Sequence, residues 1–324
     1  MIYLRGKMKT KILITGGLGY VGGRIIKELI ETTDFEISIS SRRDLDVSKI
    51  FQTNRVVLIS TEFLFNPSNE LPDKFDYIIH LAAMNEIQSE INPPEAIQVN
   101  TLNSYFLLQK AVKNKVKRFV YFSTAHVYCT PLIGDISENT CPKPMHPYAI
   151  THKGFEDFLF AAHQKKEIEG VIFRLSNSFG APIFADVDRW TLLVNDLCRQ
   201  VVKTRELKLN STGIQLRDFV TLTDVCRAVD FILKLPSNKL DDGLFNLGGN
   251  FTTSIFEMAQ IIQGRAEIKM KCPIVLSRPE IKNFETSPSF SFLSSKLTES
   301  GFQWTKKIDE EIDNLLDFCL LNFK

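Results

Sequence analysis

The sequence predicts an α/β fold, a doubly wound parallel sheet with length to spare for a smaller lobe, and three observations carry that expectation. KILIT at 11–15, a short run of β-formers, leads directly into the glycine-punctuated turn GGLGYVG, and GRIIKELIE follows with apolar residues at helical spacing. Strand and helix patterns then alternate along the chain, the rhythm of a parallel sheet covered by helices on both faces. The 324 residues, 44% of them hydrophobic, suffice for one large domain with a lobe or for two domains.

The glycine turn comes first. Gly17, Gly19 and Gly22 fit G-x-G-x-x-G, while Gly16, Gly19 and Gly22 fit T-G-x-x-G-x-x-G. Either spacing permits a tight turn, close approach of backbone to a pyrophosphate, and a helix N-terminus that offers free N–H groups to the anion. Gly16, Gly19, Tyr20 and Val21 are therefore candidate cofactor-binding residues. Further strands are expected at 35–40, 55–60, 75–81, 118–123 and 170–175, with helices at 94–113 and 148–164. Right-handed crossovers make this a doubly wound sheet, in which dinucleotides bind at the carboxyl edge.

A net charge of +1 gives no electrostatic footprint for nucleic acid or a membrane surface. The six cysteines form no C-x-x-C pair and have no histidines at metal-ligand spacing, which points to free thiols in a reducing compartment and to no bound metal. No apolar run approaches the ~20 residues needed to span a bilayer. MIYLRGKMKT has no signal-like apolar segment, Met8 is a candidate start, and a cytoplasmic location is expected.

The end of the second strand reports on the cofactor. An acid about 20 residues past the glycines would hold the 2′-hydroxyl of NAD, whereas an arginine suits the 2′-phosphate of NADP. Ser40 stands 18 positions after Gly22, with Ser41, Arg42 and Arg43 following it. The acid is missing, so NADP is favoured slightly over NAD, with Ser40 and Arg42 as cofactor residues. The alternative is that both arginines are solvated, with Asp44 pairing with one of them.

FVYFSTAHVY at 119–128 and HPYAITHKGFEDF at 146–158, with the glycine turn, HLAA at 80–83 and RDFVTLTDV at 217–225, resemble the extended short-chain dehydrogenase/reductases. These are the NAD-dependent epimerase/dehydratase enzymes of nucleotide sugars, with a Rossmann-type sheet, and the resemblance spans nearly the whole chain. It implies that Thr124 hydrogen-bonds the reacting oxygen, with Ser123 beside it, that Tyr148 exchanges a proton, and that Leu81, Ala82 and Ala83 line the cofactor. The family lysine four residues after the tyrosine is replaced by His152. Lys153, five residues on, falls ~140° round a helix from Tyr148. Three readings follow: His152 substitutes for the lysine with altered pH dependence, Lys153 is recruited by a helix distortion, or turnover is low.

Related 4,6-dehydratases carry Asp-Glu directly after the threonine, where this chain has Ala125 and His126, so dehydration is disfavoured. The resemblance implies oxidation or reduction at C4 of a nucleotide-activated sugar, as in surface polysaccharide biosynthesis, or 4-epimerisation. A cofactor-binding scaffold or redox sensor is the alternative of a different class. His126, Asn177 of RLSNSFGAP and Arg217 are candidate substrate-binding residues, with a surface pair between Arg217 and Asp218 as the plain alternative. Sugar and base specificity is expected in 181–215, with Asp188, Arg189 and Trp190. The implied division is a dinucleotide domain at 1–175 joined by 218–248, and a nucleotide-sugar lobe at 176–217 and 249–324. Helices 94–113 and 148–164 match those that pair subunits in the family, implying a homodimer or a dimer-based oligomer.

Overall fold

The computed structural model describes residues 9–43, 45–282 and 285–323. Met8 and Asp44 lie outside them. Seven parallel strands form the central sheet: β1 (Lys11–Thr15), β2 (Glu36–Ser41), β3 (Val56–Ser60), β4 (Tyr77–His80), β5 (Arg118–Thr124), β6 (Glu169–Leu175) and β7 (Leu244–Leu247). Their spatial order is β7-β6-β5-β4-β1-β2-β3, as expected of a doubly wound sheet. Because the chain moves outward from β1 to β3 and resumes on the other side of β1 with β4, the crevice between β1 and β4 is the switch point.

Both faces of β1 are buried. Ile12 and Ile14 pack with Ile25, Ile26 and Leu29 of the Tyr20–Thr32 helix and with Val225, Val229 and Ile232 of the Leu222–Lys234 helix. Leu13 faces the opposite layer, with Leu107, Phe119, Phe155 and Leu159. A strand covered on both sides reads as continuous apolar sequence, which is why KILIT shows no alternation. A second apolar cluster, containing Phe179, Val194, Leu197, Phe219, Met258, Ile262 and Leu315, lies in the C-terminal part of the chain.

The helical pattern at 94–113 is not one regular helix. Pro93–Ala96 is α-helical, Ile97–Asn103 is π-helical, and Ser104–Lys113 is α-helical. The wider turn carries the buried Asn100, which accepts the Met84 N–H at 2.7 Å and donates to Thr151 Oγ1 at 3.0 Å. It thus shapes the loop after β4, as π-turns often do near functional sites. Among the described residues no helix is long and apolar enough to cross a membrane.

Candidate active site

Strand register sets the floor of the site. Thr15 of β1 lies level with Ser40 of β2 on one side and His80 of β4 on the other. Thr124 ends β5 beside Leu175. After Thr15, Gly16 turns with φ +68°, and a Cβ there would come within 3.0 Å of the Ala82 amide nitrogen. A Cβ on Gly22 would meet the Gly16 carbonyl oxygen at 2.4 Å. A Cβ on Gly17 would meet Ile39 Cβ at 2.8 Å, so glycines of both spacings are sterically required, and Gly16 lets the turn press against the exit of β4. The first bond of the Tyr20–Thr32 helix runs from the Gly23 N–H to the Gly19 carbonyl, leaving the Tyr20, Val21 and Gly22 N–H groups at a helix N-terminus with no intrahelical acceptor.

The Tyr20 side chain is committed to the lobe, where its buried hydroxyl meets the Gly180 carbonyl at 3.1 Å and Asn195 Oδ1 at 3.3 Å, so a cofactor contact of Tyr20 would fall to its backbone N–H. Arg43 is also occupied: it forms a two-pronged pair with Asp186 at 2.8 and 3.2 Å and lies over the Phe184 ring. Arg42 is exposed and unpaired among the described residues.

The Pro147–Gln164 helix starts with a proline in its first turn, capped by the His146 side chain, and packs on β5, β6 and the turn Ala125–Val127. Its first turns bring Tyr148 and His152 onto one face with ring centroids 4.4 Å apart. Lys153 points elsewhere and pairs with Asp157, so no helix distortion recruits it. The Tyr148 hydroxyl makes no hydrogen bond among the described residues. Burial raises the Tyr148 pKa, Arg189 opposes that, and Glu86 adds to it. Arg189 and Glu86 are themselves paired at 3.1 Å. Thr124 Oγ1 accepts the His126 N–H at 3.2 Å, so its own hydrogen remains available.

His152 is buried; its Nδ1 is 2.6 Å from the Tyr121 hydroxyl, and its Nε2 has no partner. Burial pushes its pKa down to about 3, so the ring is neutral at pH 7. Ser40 Oγ and Ser123 Oγ are likewise buried without partners. Buried polar atoms normally find partners, and Ser40 and Ser123, unpartnered among the described residues, stand near the carboxyl ends of β2 and β5, the edge where such a sheet holds a dinucleotide.

Candidate substrate contacts diverge. Arg217, partly buried, has no carboxylate partner among the described residues, and burial lowers its pKa. Asp218 does not pair with it; that carboxylate accepts from Ser176 Oγ at 2.6 Å and from the Gly249 N–H at 2.9 Å. Asn177 spends one amide hydrogen on the Asp218 carbonyl at 2.9 Å. The His126 pKa is lowered by burial first and by Arg217 second. Trp190 is committed to packing: it is buried, its indole N–H donates to the Ala185 carbonyl at 2.8 Å, and it packs on Phe318 and Phe323. Asp188 instead reaches Asn85 at 2.7 Å. Arg174, in the RLSNSFGAP stretch, is buried against Glu156 at 2.7 Å and lies over the Tyr128 ring, a scaffold role.

Sequence reasoning missed Tyr121, the Arg189–Glu86 pair and Arg278. The last lies over the Phe256 ring, donates to the Thr212 carbonyl at 2.8 Å, and lines a cavity of about 360 Å³ with Lys208, Leu209 and Asn210. None of these carries a local pattern, because each acts through a partner distant in sequence.

A glycine turn at the switch point of a doubly wound sheet is the arrangement of dinucleotide-binding proteins. The model of the NAD dependent epimerase/dehydratase family matches residues 12–248, and the chain belongs to that family. It is 24% identical over 265 residues to the dTDP-D-glucose 4,6-dehydratase of Bos taurus, covering 77% of this chain and 71% of that one. It is 25% identical over 271 residues to an uncharacterized UDP-glucose epimerase of Bacillus subtilis, covering 78% and 81%. Its fold matches the UDP-glucuronic acid 4-epimerase of Bacillus cereus, solved in complex with UDP-glucuronic acid and NAD, with a TM-score of 0.76 at 20% identity over 96% of this chain and 99% of that one.

Proposed function

We propose that this protein is an NAD(P)-dependent oxidoreductase acting at C4 of a nucleotide-activated sugar, by 4-keto reduction or 4-oxidation. The observation that carries this reading is the placing of Tyr148 and His152 on one face of a helix that packs on the Ala125–Val127 turn after Thr124, with His152 Nε2 unpartnered among the described residues. A bound nicotinamide would supply the hydride donor or acceptor. Gly16, Gly19, Val21, Leu81, Ala82, Ala83 and Ser123 would hold the dinucleotide, and His152 would hold its ribose. Thr124 would orient the sugar oxygen and Tyr148 would move its proton. The lobe at 176–217 and 249–324 would take the nucleotide sugar, with His126, Asn177 and Arg217 facing it.

The second reading is a nucleotide-sugar 4-epimerase, supported by the names that the Bacillus relatives carry. Dehydration at C5 and C6 is disfavoured despite the Bos taurus relative, since Ala125 and His126 supply no carboxylate and Glu86 is tied to Arg189. Incubation with a panel of nucleotide sugars separates these readings. Net change in reduced nicotinamide marks the oxidoreductase, a new epimer without net change marks the epimerase, and loss of water marks the dehydratase. Absence of all three supports the scaffold or sensor.

For the cofactor, exposed Arg42 supports NADP, and Arg43 is committed to Asp186. Calorimetry is expected to show NADPH binding tighter than NADH, with Arg42→Ala closing most of the gap and Arg43→Ala little of it. Equal affinities in the parent protein would remove the NADP reading. For assembly, Ile150 and Phe158 share a helix face and are 50% and 47% exposed, with Phe158 packed on Tyr105 at 4.8 Å and Ile97 51% exposed nearby in sequence order. Light scattering is expected to give a dimer, and Ile150→Glu with Phe158→Glu a monomer. A monomeric parent at micromolar concentration would count against the interface.

A further inference from the structure

The His152 imidazole is one end of a buried column of rings. Tyr121 stacks on it with centroids 5.6 Å apart, and His80 stacks on the other side of the column, 5.7 Å from Tyr121. The protons of the column can be assigned. Thr15 Oγ1 accepts the Leu81 and Ala82 N–H groups, so its hydrogen goes to His80 Nδ1 at 2.6 Å. His80 Nε2 then donates to Ser104 Oγ at 2.7 Å, and Ser104 donates to the Asn100 carbonyl at 2.8 Å. Every polar atom of that branch is matched, and the same Thr15 fixes the HLAA backbone beside the glycine turn.

The other branch is open at one end. Among the described residues the Tyr121 hydroxyl has a single partner, His152 Nδ1. Burial raises the Tyr121 pKa, so the phenol keeps its proton. If Nδ1 carried the imidazole hydrogen, the buried Tyr121 hydrogen would have no acceptor, and leaving a buried donor unsatisfied is unfavourable. If Tyr121 donates to Nδ1, the hydrogen of the neutral ring sits on Nε2, the atom without a partner.

We propose that Tyr121 is a positioning residue that holds His152 in its Nε2–H tautomer, so that a neutral N–H donor presents itself to the cofactor ribose where the family uses an ammonium. The inference rests on the reading of His152 as the ribose-binding residue. It explains how a histidine serves in that position without being charged. A lysine needs no such partner, because each of its three hydrogens is a donor. A histidine does, because the wrong tautomer turns the same nitrogen into an acceptor.

The test is the side-chain nitrogen spectrum of histidine-labelled protein without added nucleotide, with His152 assigned by its loss in His152→Gln. A protonated Nε2 and a bare Nδ1 are expected, and the reverse overturns the proposal. Tyr121→Phe keeps the ring stack and removes the hydroxyl, and it is expected to shift His152 toward the other tautomer. In calorimetry the same variant is expected to weaken reduced dinucleotide binding about tenfold. Binding of ADP, which lacks the second ribose, stays as in the parent. In a His152→Lys background the Tyr121→Phe loss falls below about twofold, since the coupling is gone. An unchanged tautomer in Tyr121→Phe, or equal losses for dinucleotide and ADP, overturns the proposal. If Tyr121→Phe does not fold, the parent spectrum alone decides. The spectrum involves no turnover, so its failure is separate from failure of the proposed reaction.

Discussion

Tyr148→Phe is expected to lower turnover by ~10² or more while leaving dinucleotide affinity close to that of the parent. The phenolic oxygen is unpartnered, so its removal costs no hydrogen bond within the protein, and the ring that packs edge-on against His152 stays in place. What is lost is the group that the proposed reaction uses to exchange a proton with the sugar oxygen. Burial raises the Tyr148 pKa, and the positive charge of Arg189 acts against that rise. With a neutral imidazole at 152, the phenol lacks the cation that a lysine there would add to Arg189, so the deprotonated form is reached at higher pH than beside a lysine. His152→Lys is therefore expected to move the basic-side requirement for Tyr148 to lower pH. His152→Ala is expected to weaken dinucleotide binding as well as turnover. Rate profiles against pH for the parent and the three variants check this. Near-parent rates in Tyr148→Phe would displace the hydride-transfer reading in favour of the scaffold or sensor.

The fold was legible because its signals are local. KILIT followed by glycines fixes a strand, a turn and a helix within about twenty residues, and steric demands at Gly16 and Gly22 leave few other conformations. The i, i+4 relation of Tyr148 and His152 was equally legible, since a regular helix converts spacing into facing. The π-turn at Ile97–Asn103 was not, because its buried Asn100 satisfies partners at 84 and 151 that no window of sequence brings together. The fate of Arg43 was hidden for the same reason: Asp186 lies 143 residues away. Tyr121 looked like one more aromatic in a buried strand, and only its contact with a histidine in another element gives its hydroxyl a meaning. Trp190 misled in the opposite direction, since a large aromatic in an expected specificity loop went into packing against the C-terminal helix.

Arg217→Met is expected to raise the KM for a nucleotide sugar about ten- to a hundredfold, the equivalent of losing a charged hydrogen-bonding contact. The same change is expected to leave the melting temperature unchanged or to raise it. The argument begins with strand geometry. Arg217 and Asp218 are adjacent in Leu216–Thr221, so their side chains project to opposite faces, which excludes the surface pair that sequence proximity suggests. Asp218 is fully buried among backbone N–H groups and Ser176, where it holds the loop at Gly249 and Phe251. Arg217 gains nothing comparable. Its guanidinium is partly desolvated and has no carboxylate among the described residues, so in the absence of an anion it is a cost to the fold. Such a cost is tolerated where a ligand repays it, and a diphosphate fits the planar fork of an arginine better than an ammonium. Arg217→Lys is accordingly expected to recover only part of the lost affinity. Steady-state kinetics and thermal unfolding of the two variants decide the matter. A fall in melting temperature with unchanged KM would make Arg217 a structural residue and remove it from the substrate site.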